Sequence, residues 1–387
     1  METYWRKALA RIESEGRLRH LRAVARLPNA RIRFADGPSL CDFSSNDYLG
    51  LSHHPVMIAK IQDYVARFGA GAGASRLVAG NLKSFDDIEG RLTEVKNMPA
   101  ALVFVSGVQA NLTVLPALLD QQMLGAEPLV YADKLNHASL IQGCIAAGVK
   151  QIRFRHNDLE HLQILLERDA ALDRPRFIIT ESVFSMDGDG PEIETLVDIA
   201  NRFNAFLYID EAHATGVLGK NGFGLACGLK NAAIMGTFSK GLGGFGAYIA
   251  GSESLKSYLI NRCGGLIYAT ALPPAVLGSM QASLELVPQM SAQRAALLTN
   301  AEFLRNKLRV AGLNVGGSTT QIIPLLLGNE QKALNLAKIL EREGFYTVAI
   351  RPPTVPVGTS RLRLTLSALH QKIEIEALAS TIIKYCS

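Results

Sequence analysis

A lysine in a glycine-rich setting is the first residue of this sequence that could do chemistry. The stretch GTFSKGLGG, residues 236–244, places Lys240 among small residues directly after a short apolar run. A lysine amine is a nucleophile only when neutral, and it forms Schiff bases with carbonyl cofactors when it is desolvated. Glycine clusters more often mark turns with a solvated charge. A chemical role for Lys240 therefore depends on partner residues elsewhere in the chain.

Asp210 and His213 are the second candidates. In FLYIDEAH, residues 206–213, Asp210 follows a run apolar enough to be interior, where a carboxylate needs a partner to stay ionised. A salt bridge or a helix cap is one interpretation. In the other, Asp210 pairs with a cationic ring nitrogen and His213 donates to an oxygen of the same ring. Pyridoxal phosphate needs such an aspartate, a reactive lysine and donors for its phosphate.

Further polar residues stand where other apolar runs end. A helix that begins near Gly107 and Val108 offers free backbone N–H groups to a phosphate, and Thr237 could add a hydroxyl group. His137 could stack on the cofactor ring, although a lone histidine is more often structural. The other polar residues at these positions are Ser106, Asn111, Asp133, Glu181, Ser185 and Ser239. Together they predict a pyridoxal phosphate site.

Six short apolar runs predict the sheet that would position these residues. They are ALVFV, LVYA, FIIT, FLYI, AAIM and AYIA, between about residues 100 and 250. Such runs, separated by helical stretches, are typical of strands buried on both faces of a parallel sheet. Ligands bind outside the carboxyl ends of such strands. The sequence thus predicts a doubly wound α/β domain.

Changes of pattern divide the chain into three predicted regions. Residues 1–45 form an N-terminal helical arm, with an amphipathic helix over residues 2–27. Residues 46–284 form a large cofactor-binding domain, and residues 285–387 form a smaller α+β domain. The small domain contains predicted helices over residues 292–311 and 331–343 and predicted strands at QIIPLLLG, YTVAI and RLRLTL.

Composition favours an ordinary globular protein. Of 387 residues, 48% are hydrophobic and 19% are charged, and the net charge of +5 is too small and too local for a nucleic-acid footprint. The five cysteines lack the spacing of a zinc site, and no apolar run approaches the roughly 18 residues of a membrane span. We therefore expect a cytoplasmic protein with no metal, nucleic acid or membrane partner.

Two glycine-rich motifs suggest other ligands but lack the required context. GAGAGA, residues 69–74, fits a dinucleotide fingerprint, yet it follows the helical pattern IQDYVARF instead of a strand. We interpret it as a flexible loop near the site. GVLGK, residues 216–220, is too short for a nucleotide-phosphate loop.

Longer motifs carry a resemblance to a known family. FSSNDYLGLSHHP, ESVFSMDGD, IDEAHATGVLG, GTFSKGLGG and IRPPTVPVGTSRLRLTLSA resemble the α-oxoamine synthases, pyridoxal-phosphate enzymes of the aspartate-aminotransferase fold. The resemblance runs from about residue 5 to the C-terminus. It is strongest to members that condense L-alanine with a pimeloyl thioester in biotin synthesis. It implies a fold type I acyltransferase that releases carbon dioxide.

The resemblance also implies a role for each matching residue. Lys240 is the implied Schiff-base lysine, Asp210 the partner of the pyridine nitrogen, and His213 the donor to the ring hydroxyl. His137 is implied to stack on the ring and to donate to developing carbonyl oxygens. The other implied cofactor contacts are Gly107, Val108 and Thr237 with the phosphate, Ser185 near the ring, and Thr270 with the phosphate of a neighbouring subunit in a homodimer.

Substrate contacts follow from the same resemblance. Arg363 is implied to bind the amino-acid carboxylate, but Arg361 lies two residues away on the same strand face, so either arginine could serve. Asn46 and Thr354 are implied to contact substrate, and Arg19 is implied to meet the acyl group.

Several alternatives stay open at this point. Phe85 stands where many members have His, and Val108 where an aromatic residue is common, so packing near the cofactor could differ. The small residues around the site also suit a relative that uses glycine or serine with another acyl thioester. A non-catalytic subunit would lack a usable lysine, which Lys240 and Asp210 argue against. The acyl carrier could be coenzyme A or a carrier protein, because the basic N-terminal region suits either.

Overall fold

The computed structural model of the protein describes residues 1–35 and 37–386. The strands of these residues are β1 (Val24–Leu27), β2 (Arg31–Phe34), β3 (Ser39–Asp42), β4 (Ala100–Phe104), β5 (Leu129–Asp133), β6 (Gln151–Phe154), β7 (Arg176–Glu181), β8 (Ala205–Asp210), β9 (Ala232–Thr237), β10 (Ala247–Gly251), β11 (Ile322–Gly328), β12 (Phe345–Tyr346), β13 (Val348–Ile350) and β14 (Ser360–Thr365). The α-helices are α1 (Glu2–Ser14), α2 (Pro55–Phe68), α3 (Lys83–Lys96), α4 (Gly107–Leu118), α5 (Gln121–Leu124), α6 (Ala138–Ala146), α7 (Leu159–Arg168), α8 (Ile193–Arg202), α9 (Glu253–Arg262), α10 (Gly264–Ile267), α11 (Pro274–Leu286), α12 (Ser291–Val310), α13 (Glu330–Arg342) and α14 (Lys372–Cys386).

The central sheet has seven strands in the order β4-β10-β9-β8-β7-β5-β6. Strands β9, β8, β7, β5 and β6 pair in parallel, and β10 runs antiparallel to both of its neighbours. All six strands predicted from the apolar runs are present. The sequence pattern missed β6, because the segment QIRF alternates apolar and polar residues at an edge of the sheet and has no continuous apolar run.

Successive side chains of the central strands enter two separate hydrophobic cores. Val103 of β4 belongs to one core, whereas its neighbours Leu102 and Phe104 belong to the other. This alternation follows from the period of two along a strand, and it shows that the sheet is covered on both faces. Helix α4 packs in the second core, and helices α2, α3 and α11 pack in the first.

The chain after α11 forms a smaller group of strands and helices. Strands β11, β14 and β13 form an antiparallel sheet in that order. The helices predicted over residues 292–311 and 331–343 correspond to α12 and α13. Strand β12 instead pairs with β3, which joins the N-terminal strands to this part of the chain. The predicted region boundaries at residues 45 and 284 stay predictions.

The N-terminal region differs from the expected helical arm. Helix α1 ends at Ser14 because Gly16 adopts a left-handed conformation, with a φ of 66°, that closes the helix. The antiparallel strands β1, β2 and β3 follow, so the prediction of helix up to residue 27 was wrong. No residue of α1 is buried in the chain, and Trp5 is 58% exposed. The helical periodicity of residues 2–27 therefore corresponds to a shorter, exposed helix.

Three further observations concern the glycine-rich segment, membrane spans and metal sites. The GAGAGA segment lies in coil between α2 and a π-helical turn at Arg76–Gly80, and not after a strand. Within residues 1–35 and 37–386 no helix combines the length and the hydropathy that a membrane span requires. The same residues contain no cluster of three or more His, Cys, Asp or Glu side chains arranged for a metal ion.

Candidate active site

An open cavity with about 570 Å³ of empty space lies where several central strands end. The lining residues are Ser106, Gly107, Val108, Asn111, His137, Ser139, Glu181, Asp210, Ala212, His213, Met235, Thr237, Ser239 and Lys240. The carboxyl ends of parallel strands meet at one edge of a sheet, so residues far apart in sequence converge here.

Lys240 heads a chain of hydrogen bonds in this cavity. Its Nζ lies 2.7 Å from Nε2 of His213, whose Nδ1 lies 2.6 Å from the hydroxyl of Tyr48. Burial lowers the pKa of Lys240 to about 8, against the opposing charge of Asp210. Burial, followed by the charge of Lys240, also lowers the pKa of His213 well below its ordinary range. A neutral amine, the nucleophilic form of lysine, is thus accessible near neutral pH.

Asp210 is a buried carboxylate without a cationic side chain as direct partner. It is only 4% exposed at the end of β8, where it accepts hydrogen bonds from Asn111 Nδ2 at 3.0 Å and from the N–H of Ala212 at 2.9 Å. Among the described residues none forms a salt bridge with it, so the salt-bridge interpretation has no support. Because a buried carboxylate requires compensation, this one can accept a cationic ring nitrogen from a ligand.

A buried ion pair supports the turn that carries Asp210 and His213. The ammonium group of Lys96 lies 2.5 Å from the carboxylate of Glu211, and both side chains are fully buried. Glu211 also accepts the backbone N–H groups of Leu225 and Ala226. Breaking such a pair typically costs about 3–5 kcal/mol, so this network fixes the turn beneath the cavity.

The start of α4 and two hydroxyl groups form the anion-binding part of the cavity. Ser106 caps the helix by accepting the N–H of Gln109, which leaves the N–H groups of Gly107 and Val108 without a partner in the described part of the chain. On the cavity wall Thr237 donates its hydroxyl to the carbonyl of Gly246 at 2.8 Å, and its Oγ1 lies 2.7 Å from Oγ of Ser239. A helix N-terminus with an adjacent serine hydroxyl suits a phosphate group.

His137 is held at the cavity by both its backbone and its ring. As the N-cap of α6 it accepts the N–H of Ser139 at Nδ1, at 3.2 Å, and its own N–H donates to Glu181 Oε1 at 2.6 Å. Burial lowers the pKa of the imidazole, against the charge of Asp210. The ring is therefore neutral near pH 7 and can cover an aromatic ligand.

The two arginines of β14 differ in their partners. Arg361 pairs with Asp187 and donates to two backbone carbonyls. Arg363 donates to Asn46 Oδ1 at 3.0 Å and to the carbonyl of Ser185, and its buried Nη2 has no hydrogen-bond partner in the structure as described. The sequence left this choice open, and the free N–H group of Arg363 favours it as the carboxylate-binding arginine.

The remaining predicted residues lie outside the lining of the cavity. Arg19 Nη2 donates to Thr354 Oγ1 at 3.2 Å, so the residue predicted to meet the acyl group touches one that is predicted to contact substrate. Thr270 forms an isolated bridge with Ser75, and its predicted contact with a neighbouring subunit stays a prediction. Phe85 is buried beneath the guanidinium of Arg76.

Several residues that line the cavity or contact its lining were not assigned a role from the sequence. They are Tyr48, Asn111, Ser139, Glu181 and Ser239, each of which contacts a predicted site residue. Asn111, Glu181 and Ser239 stand near the ends of apolar runs, and this position was the available signal. Tyr48 carries no such signal, because only the fold brings it to His213.

A charged histidine holds the loop that contains Ser185. His156 lies 3.0 Å from Asp133 and 3.2 Å from Asp189. Burial alone would lower its pKa, but the two carboxylates outweigh burial and raise the pKa to about 9. The loop between Phe184 and Asp189 is thereby tied to the ends of β5 and β6.

We expect this contact to stabilise the fold most at low pH. The stabilisation is complete below pH 6.5, the ordinary pKa of histidine, and it disappears as the pH rises through about 9. Its size is roughly 3 kcal/mol. The free energy of unfolding of wild type minus that of His156→Gln, measured in urea at pH 6, 7.5 and 9.5, should fall in that order. A difference that does not change with pH would contradict a charged His156.

Comparison with known proteins agrees with this geometry. The family model for aminotransferase class I and II matches residues 38–382. The chain belongs to the aminotransferase class I and II family. The predicted α/β fold with a mostly parallel central sheet is therefore confirmed by both the topology and the family.

Three individual relatives are similar to this chain over most of their length. An 8-amino-7-oxononanoate synthase from Gluconacetobacter diazotrophicus is 52% identical over 350 residues, which cover 90% of this chain and 88% of the relative. A solved structure of an 8-amino-7-oxononanoate synthase from Francisella tularensis has a TM-score of 0.76 at 28% identity, covering 89% of this chain and 97% of that one. A serine palmitoyltransferase from S. paucimobilis, solved with bound PLP-myriocin, has a TM-score of 0.88 at 25% identity, covering 98% and 96%.

Proposed function

We propose that the protein is an 8-amino-7-oxononanoate synthase, which uses pyridoxal 5'-phosphate (PLP) to condense L-alanine with a pimeloyl thioester and releases carbon dioxide. The observation that carries the proposal is that Lys240 and Asp210 both line the same cavity. A relative with 52% identity bears this name. Coenzyme A and an acyl carrier protein remain the two possible carriers of the pimeloyl group in biotin synthesis.

The residues of the cavity fit PLP on chemical grounds. The N–H groups of Gly107 and Val108 at the start of α4 suit its phosphate, beside the hydroxyl groups of Thr237 and Ser239. Asp210 can pair with a protonated ring nitrogen, and Lys240 can bond to the carbonyl carbon. When bound, PLP supplies an electron-withdrawing ring that makes the α-hydrogen of an amino acid acidic.

The side chains around this position then have distinct tasks. Asp210 keeps the proton on the ring nitrogen, because its carboxylate is buried and otherwise uncompensated. Lys240 removes the proton from the α-carbon of alanine, since burial lowers the pKa of its amine and makes the neutral form accessible near pH 7. His137 covers the ring and can donate to the oxygen on which negative charge develops. His213 directs the amine of Lys240 through their 2.7 Å contact.

A sister activity is the second candidate. The serine palmitoyltransferase structure has a higher TM-score than the synthase structure, 0.88 against 0.76. An enzyme that joins serine or glycine to another acyl thioester would need the same cavity chemistry. We favour the synthase because the 52% identity to a relative of that name is about twice the identity to the transferase.

The proposal includes four further features of the protein. The enzyme is a homodimer in which Thr270 reaches the phosphate site of the other subunit. Lys240 is the Schiff-base lysine. The protein acts in the cytoplasm. Its chain is divided near residues 45 and 284 into an N-terminal arm, a large domain and a small domain.

One assay separates the candidates. The PLP-loaded protein is mixed with L-alanine, glycine or L-serine and with pimeloyl-CoA, pimeloyl carrier protein or palmitoyl-CoA, and products are identified by mass. We expect 8-amino-7-oxononanoate from alanine with a pimeloyl thioester only. Product from serine or glycine with another thioester would assign the sister activity, and no product with any pair would overturn both.

Arg363 should bind the carboxylate of the amino acid. Its unpartnered Nη2 is a free donor, and a hydrogen bond to a charged group contributes about 1.5–3 kcal/mol. Arg363→Ala is therefore expected to raise the KM for L-alanine by about 10–100-fold. Arg361→Ala is the matched control on the same strand, and it should lower the melting temperature while leaving KM within about threefold. A larger KM effect at Arg361 would reverse the assignment.

A further inference from the structure

Glu181 is a buried acid in the cavity to which the proposed reaction gives no task. It ends β7, it is 3% exposed, and it lines the cavity. In the sheet register it lies directly beside Asp210 of β8. A carboxyl group is rarely buried unless it is paired or hydrogen-bonded, so its contacts need an explanation.

One oxygen of Glu181 holds the backbone of His137. The N–H of His137 donates to Oε1 at 2.6 Å, and the side chain of the preceding Asn136 donates to the carbonyl of Ile179 at 2.8 Å. Both contacts tie the segment before α6 to β7. Because His137 is the N-cap of α6, the direction of its imidazole depends on this short segment.

The other oxygen of Glu181, Oε2, has no hydrogen-bond partner among residues 1–35 and 37–386. Two ionised carboxylates side by side in a buried site repel each other. Burial, followed by the charge of Asp210, raises the pKa of Glu181 well above its ordinary value. This shift favours the protonated form of Glu181.

We propose that Glu181 is a positioning residue of the PLP site, which fixes His137 over the cofactor through the hydrogen bond to its backbone N–H. The inference deepens the proposed function and rests on it. It requires a carboxyl oxygen as acceptor, but it does not require a negative charge at position 181. Asp210 remains the single carboxylate that compensates the ring nitrogen.

The distinction between acceptor and charge gives a direct test. Glu181→Gln keeps an acceptor oxygen and the size of the side chain, whereas Glu181→Leu keeps the size and loses the acceptor. The Kd for PLP is measured by absorbance titration of PLP-free protein, together with the melting temperature before PLP is added. We expect Glu181→Leu to raise the Kd about 10–100-fold and Glu181→Gln to change it less than about threefold.

A double-variant cycle tests whether Glu181 acts through His137. If it does, Glu181→Leu should add less than about threefold to the Kd of His137→Ala, because the ring that it positions is already gone. Additive effects of the two substitutions would overturn the proposal. A Glu181→Gln protein as impaired as Glu181→Leu would also overturn it, because that result would require a negative charge at position 181. A Glu181→Leu protein with the wild-type Kd for PLP and a lowered melting temperature would overturn it as well.

The outcomes separate this inference from the proposed function. A wild-type protein that binds PLP but makes no product contradicts the synthase and leaves the Kd comparison readable. A wild-type protein that makes product, with additive effects at positions 181 and 137, contradicts only the inference. A wild-type protein that binds no PLP overturns both.

Discussion

Replacing Lys240 with alanine is expected to lower kcat by about 10²–10⁴-fold. The substitution removes the amine that would bond to the PLP carbonyl and take the α-proton of alanine. No described side chain offers a second amine in the cavity, because Lys240 is the only lysine among the lining residues. The measurement is steady-state turnover with L-alanine and pimeloyl-CoA at saturating PLP.

Lys134→Ala is the matched control for this prediction. Lys134 directly follows β5 but is exposed and does not line the cavity. Its replacement should leave kcat within about twofold. Turnover of Lys240→Ala at the wild-type rate, in protein with an unchanged melting temperature, would remove Lys240 from the chemistry.

Replacing Asp210 with asparagine should lower kcat by about 10²–10³-fold. Asparagine keeps the size of the side chain, but it carries no charge to keep a proton on the ring nitrogen of PLP. One of the two N–H donors that face Asp210, from Asn111 and Ala212, would also meet an amide NH₂ group instead of an oxygen. The loss should appear in kcat more than in the KM for alanine, because the charge acts while the α-proton is removed.

The control for Asp210 is another hydrogen-bonded aspartate. Asp158 caps α7 and does not line the cavity, so Asp158→Asn should cost stability and leave kcat within about twofold. An Asp210→Asn protein with wild-type kcat would mean that the carboxylate is structural only. It would leave the cofactor site without its proposed anionic partner.

The central sheet and the core of the site were predictable from sequence for one physical reason. Strands buried on both faces appear as continuous apolar runs, and their carboxyl ends share one edge of the sheet. Asp210 and Lys240 follow such runs, so the sequence pattern alone predicts that they lie close together. The direction of β10 could not be predicted, because a strand buried on both faces reads alike in either direction.

Other features depend on contacts between distant segments. Arg361 and Arg363 are equivalent in the strand pattern, and they differ only because Asp187, from the loop after β7, pairs with Arg361. Tyr48 reaches His213 across 165 positions of sequence. The prediction of a helix up to residue 27 failed for a local reason. Apolar residues at helical spacing continue beyond Gly16, and this pattern was given more weight than the tendency of the glycine to end a helix.

The proposed function requires PLP to bind in this cavity and to bond to Lys240. The most direct measurement is to load the protein with PLP, reduce it with borohydride, digest it and map the modified peptide by mass. We expect one pyridoxyl group per chain, on the peptide that contains Lys240. A pyridoxyl group on another lysine, or none on any peptide of a protein that still forms product, would contradict it.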